Sequence, residues 1–364
     1  MSPVSKIKCK LISHSLSHHL SQIYTGFLLL AKRGLIELEQ ELSDDAIIDK
    51  TRVQHLQDAR HAHLTVVLND QLTIHYDTHD AIEVDEQYLQ NCDIYFKRSF
   101  SESYIGKTPK YSNKIFPLGL NYKVLSNDVD WLAVKRVFGL NYKLNQKCAA
   151  LFESLDIYNF IKATPRLKAL EALPYNLPAK ALFLVTAYDP YNNPERSEFK
   201  AEERAHINES RANCIRLLRR ELGDKFFGGF QQTDFTVKHY KNLLVPDNRI
   251  TRKGNYLKNL RSYPICIATT GLHDSIGWKF AEYVALSKAI VSEKLMFEVP
   301  GDFAKDKNYL EFTTPEECVT QSLTLMEDPQ LRYQMMINNA RYYQSNLKPD
   351  CLILNTLLKS LSLL

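Results

Sequence analysis

Residues 264–293 read PICIATTGLHDSIGWKFAEYVALSKAIVSE. A short apolar run, ICIATT, leads into the glycine-bearing segment from Gly271 to Gly277. An amphipathic stretch, IGWKFAEYVALS, and a second short apolar run, KAIVSE, follow. In the amphipathic stretch Ile276, Phe280, Val284 and Ala285 fall on one helical face, whereas the flanking runs are too short for helices and suit buried strands. Strand, helix and strand in this order make a βαβ unit, which requires a parallel sheet and a right-handed crossover.

The same alternation extends through the rest of the C-terminal half. KALFLVTAYD (180–189) reads as a strand, YNNPERSEFKAEE as a polar loop, AHINESRANCIRLLRREL as a helix, KFFGGF as a strand and YLKNLRS as a helix, with helices alone from Thr314 to Leu364. In the N-terminal half, strands are expected at IKCKLIS (7–13), HLTVVLND (63–70), QLTIHYD (71–77), CDIYFKRS (92–99) and KIFPLGLN (114–121). HLSQIYTGFLLLAKRG (19–34) is a helix closing at Gly34. The fold class read from this pattern is α/β, with two facing Rossmann-like domains and a helical tail. Its expected divisions are 1–150 for the N-terminal domain, 151–178 for a linker, 179–340 for the C-terminal domain and 341–364 for the tail.

A chain of 364 residues exceeds what one core usually supports. The balance of 46 basic against 42 acidic side chains, +4 in net charge, is too even to point to nucleic acid, which stands as an improbable partner. Seven cysteines without metal-type spacing suit reduced thiols, and no metal ligand set is expected. The N-terminus lacks the pattern of a signal peptide and IYTGFLLLA is too short to span a bilayer. A cytoplasmic protein follows, with a peripheral membrane contact left open.

In open parallel sheets ligands bind beyond the carboxyl ends of the strands. That places the loop after ICIATT among the functional candidates. The N–H groups at the start of the helix near Gly277 carry the positive end of its dipole and suit a phosphate. Asp274 precedes that start, and Glu282 lies more than a turn inside the helix. A solvated acid pair on a core-packed helix is the alternative reading.

The run from Asp274 to Val291, DSIGWKFAEYVALSKAIV, resembles without gaps the E-x7-E segment of nucleotide-sugar glycosyltransferases of the two-Rossmann B-type fold. The remaining C-terminal half resembles that family loosely, including PQLRYQMMINNARYYQSN near its end. The resemblance implies that Asp274 meets the donor sugar, that Ser275, Ile276 and Gly277 meet the diphosphate, and that Glu282 holds the nucleotide ribose. Three positions depart from the family: Asp274 is one methylene shorter than the usual glutamate, Lys279 replaces the usual proline, and Ser287 the usual glycine.

Cationic neighbours would offset charge on the departing diphosphate. Candidates are Arg196 and Lys200 in the loop after LFLVT, Arg249, Arg252 and Lys253 in DNRITRKGNYL, and Lys279. Tyr188, Tyr191 and Tyr256 are candidates for stacking on a base. On the N-terminal side His79 and Asp80, in HYDTHDA, are candidates for an acceptor-activating base. His14 and His18, in SHSLSHH, and Lys97 and Arg98, in YFKRS, are acceptor-side candidates, although Asx turns, helix caps and local ion pairs would account for the same residues.

The resemblance implies transfer of a sugar, with retention, from a nucleotide-diphosphate sugar to a glycan or lipid-linked acceptor, in bacterial surface polysaccharide or glycoconjugate synthesis. Neither cofactor nor metal is called for. A DNA-base glucosylating enzyme of the same fold and a non-catalytic nucleotide- or sugar-binding protein are the competing readings.

Overall fold

The computed structural model describes residues 6–13, 18–42, 62–107, 113–127 and 165–363. His14, Cys148 and half of the segment expected to link the domains lie outside these residues. The chain divides into two compact α/β units. One comprises Met1–Ala169, Phe297–Gly301 and Gln344–Leu364, and the other Leu170–Met296 and Asp302–Tyr343.

In the N-terminal unit, β1 (Ile7–Ser13), α1 (Ser21–Lys32) and β2 (Ile36–Leu42) form the first βαβ element. β3 (His63–Leu68), β4 (Leu72–Asp77), β5 (Ile94–Lys97) and β6 (Ile115–Pro117) complete a sheet of order β2-β1-β3-β4-β5-β6. All its pairings are parallel except those of β3, which runs antiparallel to both β1 and β4. The cause lies in the turn, where Asn69 and Asp70 take positive φ of 51° and 56° and close a hairpin that adjacent strands can use without a crossover. The run HLTVVLNDQLTIHYD, read as two strands of an α/β pattern, is thus a hairpin inserted in an otherwise parallel sheet.

In the C-terminal unit β7 (Ala181–Val185), α2 (Glu198–Leu222), β8 (Phe226–Phe230), α3 (Lys253–Arg261), β9 (Ile265–Ala268), α4 (Trp278–Ala285), β10 (Ala289–Glu293) and β11 (Leu310–Phe312) alternate as expected. α5 (Pro315–Glu327) and α6 (Pro329–Tyr342) follow. The sheet is entirely parallel, in the order β11-β10-β9-β7-β8. Every residue of β7 and β9 is buried, as continuous apolar strands covered on both faces should be. One boundary and one strand differ from the sequence reading. α2 begins at Glu198, so Lys200 stands in its first turn and not in a loop, and the short strand β11 carries too few residues to show a period.

α7 (Pro349–Leu361) does not hang off as a tail of the C-terminal unit. Leu352, Ile353 and Leu357 enter the same core as Cys9, Phe27, Ile74 and Tyr76 of the N-terminal unit, and the Tyr76 hydroxyl lies 2.7 Å from Thr356 Oγ1. Gly26 permits this crossing of α1 and α7, because a Cβ there would collide with the Pro349 carbonyl and with Ile353. Burying that apolar face against a sheet that needs a cover is worth more than leaving it in solvent. Among the described residues no helix is long and apolar enough to cross a membrane.

Candidate functional site

The order of the C-terminal sheet fixes where a ligand can enter. From β7 the chain passes to β8 on one side, then returns to β9 on the other, so the crevice of the sheet opens beyond the carboxyl ends of β7 and β9. Arg211 of α2, only 5% exposed, braces those two ends. Its Nε donates to Thr269 Oγ1 (2.9 Å), Nη1 to the Thr186 carbonyl (2.8 Å) and Nη2 to the Thr270 carbonyl (2.9 Å), with the guanidinium 5.1 Å from the Tyr188 ring centre. One turn earlier, Asn208 exchanges two hydrogen bonds with the Tyr188 backbone at 2.7 and 2.8 Å. Tyr188 is therefore part of the wall.

The loop after β9 is held from several directions. Glu293 at the end of β10 accepts from the Thr270 N–H (2.7 Å) and hydroxyl (2.9 Å), and Glu203 of α2 accepts from the His273 N–H at 2.6 Å. Gly271 N–H donates to the Ser275 carbonyl at 2.8 Å, and His273 and Asp274 both take left-handed backbone, at φ 59° and 54°. This turn leaves the Asp274 side chain exposed, with no hydrogen-bond or ion-pair partner among the described residues. Ser275 is buried and Gly277 caps α4, where a Cβ would meet nothing within 4 Å. The helix start thus faces open space.

α4 carries the most unusual acid of the unit. Glu282 is 1% exposed, and one oxygen, Oε1, is paired with the ammonium of Lys253 at the start of α3. The other, Oε2, is buried with no hydrogen-bond partner among the described residues. Lys253 and Lys279 lie 5.0 and 5.6 Å from the ring centre of buried Tyr256, and the Lys279 ammonium donates to the Leu184 carbonyl at the end of β7. Burial, and then the nearby cations Arg211 and Lys253, push the Lys279 amine down to about 8 against the opposing pull of Glu282. Arg252, beside Lys253, is exposed on the wall of a cavity of about 450 Å³ that Gln231, Gln232, Asp247, Asn248 and Thr251 also line.

The expected cations are distributed differently. Arg196 folds back on its own loop, donating to the Asp189 and Pro190 carbonyls at 2.9 and 2.6 Å and to Asn192 Oδ1 at 2.6 Å. Arg249 is paired with Asp247 at 2.7 Å. Lys200 lies in the first turn of α2 and is half-buried. Tyr191 is 81% exposed and walls nothing. Ser287 adopts φ 54°, the left-handed backbone for which glycine is the easy choice, and its hydroxyl donates to the Ala172 carbonyl at 2.5 Å.

In the N-terminal unit three separate sequence features come together at the carboxyl ends of β4 and β5. Asp80 is paired with Arg98, while His79 Nδ1 accepts from the Ala81 N–H at 3.2 Å and its own N–H donates to Asp77 at 2.8 Å. Burial drives His19 down to about 4; Asp80 opposes that shift, and Arg98, His79 and His18 reinforce it. Lys97, expected to face an acceptor, is instead fully buried, its ammonium 2.8 Å from Asp77. Tyr95 donates to the same carboxylate at 2.6 Å. Burial alone would raise the Asp77 carboxyl, but Lys97, His63 and these hydrogen bonds hold it well below the usual carboxylate range. Arg98 is buried too, at 6% exposure, so both cations serve the unit's own acids.

Sequence reasoning missed Arg211 and Asn208. Both sit on the buried side of α2 with Cys214, Ile215 and Leu218, and polar residues at helical spacing inside an apolar stripe were the available signal. Among the described residues no group of three or more histidine, cysteine, aspartate or glutamate side chains is placed to hold a metal ion. The six described cysteines are free thiols.

No protein-family model matches the chain. No curated protein matches it either. Among solved structures it is similar to Anabaena HepE in complex with UDP-glucose, at 11% identity and a TM-score of 0.38, over 96% of this chain and 100% of that one. It is similar also to the UDP-GlcNAc 2-epimerase from Neisseria meningitidis bound to UDP-GlcNAc, at 14% identity and 0.36, over 75% of this chain and 63% of that one. The C-terminal domain of a group 1 family glycosyl transferase from Francisella tularensis matches at 12% identity and 0.33, over 50% of this chain and 97% of that domain. Likeness at these values assigns neither family nor activity.

Proposed function

We propose that the chain is a glycosyltransferase whose C-terminal unit binds a nucleotide-diphosphate sugar and whose N-terminal unit receives an acceptor hydroxyl. One observation carries the reading: Glu282, on the helix that opens at the crevice of a parallel sheet, is buried with a carboxylate oxygen that no group among the described residues satisfies. Among the described residues it is the one buried carboxylate oxygen of the C-terminal unit without a partner, and a ribose hydroxyl is a donor of the required kind.

The rest of the crevice suits the remaining parts of such a donor. The base goes to the cavity bounded by Gln231, Asn248 and Arg252, next along the chain to Lys253. The diphosphate lies at the start of α4, where Gly277 leaves room for its approach and the helix dipole favours negative charge. Lys279 then stands beside the developing charge of the leaving diphosphate. Asp274, exposed on its left-handed turn, is free to accept from hydroxyls of the sugar. Transfer with retention needs no protein base at the acceptor; if the reaction inverts, His79 or Asp80 takes that role. The chemistry calls for no metal. Surface polysaccharide or glycoconjugate synthesis is the proposed setting.

Thermal-shift measurements with UDP-, GDP-, dTDP- and CMP-sugars test the reading. A ligand at a hundred times its Kd adds about 2.7 kcal/mol to stability, a rise in Tm of roughly 5–10 °C for domains of this size. A flat response to all four refutes it. Binding without transfer or hydrolysis identifies instead a nucleotide-sugar binding protein.

A further inference from the structure

We infer that Lys253 is a positioning residue that selects ribonucleotides: it holds Oε1 of Glu282 and thereby presents Oε2 to the 2′-hydroxyl of the sugar ring. The inference rests on the proposed donor site and adds a residue whose role the E-x7-E pattern does not contain.

Helix α3 begins at Lys253, directly after Arg252, and has no acidic residue in its first turn. Cations at a helix N-terminus oppose its dipole, so this start is not explained by the helix itself. Lys253 is instead used across the fold. Its side chain, 30% exposed, reaches over Tyr256 to a glutamate 29 positions along the chain whose side chain is 1% exposed.

An isolated buried carboxylate is strongly disfavoured, and a single cation partner restores it while fixing which oxygen is used. The two lysines flanking Tyr256 divide their work. Lys279 is tied to the end of β7 and Lys253 to Glu282, so among the described residues Lys253 is the group that sets the orientation of the carboxylate. With Oε1 paired to the ammonium, Oε2 is the oxygen left without a donor among the described residues. A hydroxyl there completes the pair. A deoxyribose cannot supply the one at the 2′ position.

The test compares UDP and GDP with their 2′-deoxy counterparts, by calorimetry on the full chain. The wild type is expected to prefer the ribonucleotide by about tenfold or more, the size of one hydrogen bond to a charged group. Lys253→Met should abolish that preference by weakening the ribonucleotide alone, and Lys253→Arg should restore part of it. Should Lys253→Met fail to fold, the double variant Lys253→Met/Glu282→Gln removes the buried charge as well, and is expected to bind both forms alike, as Glu282→Gln does.

Equal weakening of both nucleotide forms by Lys253→Met would place Lys253 on the diphosphate and overturn the inference. Tighter ribonucleotide binding would overturn it also, by showing Lys253 to be a competitor for the site. A wild type that binds both forms equally removes the inference and leaves the donor site standing. A wild type that binds neither nucleotide removes both.

Discussion

Lys279 offers the most direct test of the donor site, because its amine titrates in an accessible range. Pushed down to about 8 by burial and by Arg211 and Lys253, with Glu282 opposing, it is largely charged at neutral pH and largely neutral at pH 9. A pKa near 8 makes the ammonium about 90% populated at pH 7 and about 10% at pH 9. If only the charged form holds the diphosphate, affinity for a nucleotide-diphosphate sugar falls roughly ninefold across those two units, about 1.3 kcal/mol. The sign follows from the shift: protonation favours binding, so affinity is highest on the acid side and declines through pH 8. The phosphate groups of a nucleotide-diphosphate sugar are already ionised throughout this range, so the difference in slope between wild type and Lys279→Met belongs to the lysine. Calorimetric Kd values at pH 7, 8 and 9 for wild type and Lys279→Met make the assay. The variant should bind more weakly at pH 7 and show no decline. A wild-type Kd that is flat over this range, or a variant with the wild-type slope, refutes the placement of Lys279 beside the diphosphate.

Other expectations are as direct. Asp274→Asn should lower kcat more than it weakens nucleotide binding, because the proposed site gives this exposed carboxylate to the sugar; equal effects on both would assign it to the nucleotide. Lys97→Met leaves Asp77 buried without its cation and should destabilise the N-terminal unit by about 3–5 kcal/mol in denaturant melts, with nucleotide affinity at the C-terminal unit unchanged. His63, buried and 2.9 Å from His75, has its pKa lowered by burial, so its stabilising contribution is complete above the unfolded value and is lost as pH falls below about 6.5. Chemical denaturation from pH 7.5 to 5.0 should show that loss, and His63→Gln should flatten it.

The alternation of strand and helix, the helix start at Gly277 and the position of Glu282 within its helix were legible in the sequence. Apolar periodicity and the glycine-bearing turn are local properties, and a parallel sheet leaves few ways to connect them. The same local signals did not separate a buried cation from a ligand-facing one. Lys97 and Arg98 follow a strand end just as a phosphate-binding pair would, yet both point inward at Asp77 and Asp80. The apolar stripe of α2 marked Arg211 as a polar residue on a buried face, but not its hydrogen-bond partners, which lie in two different loops.

What the sequence by itself determined is therefore the class of the fold and the end of the sheet at which a site must lie, since both follow from the order and period of neighbouring residues. Only the tertiary structure decided which charges meet. The pairing of Lys253 with Glu282 across 29 positions, the unsatisfied Oε2 beside it and the return of α7 to the N-terminal core all depend on contacts between distant segments. Such contacts form where packing brings apolar faces together and leaves each buried charge one partner within reach, and that choice has no trace in the spacing along the chain.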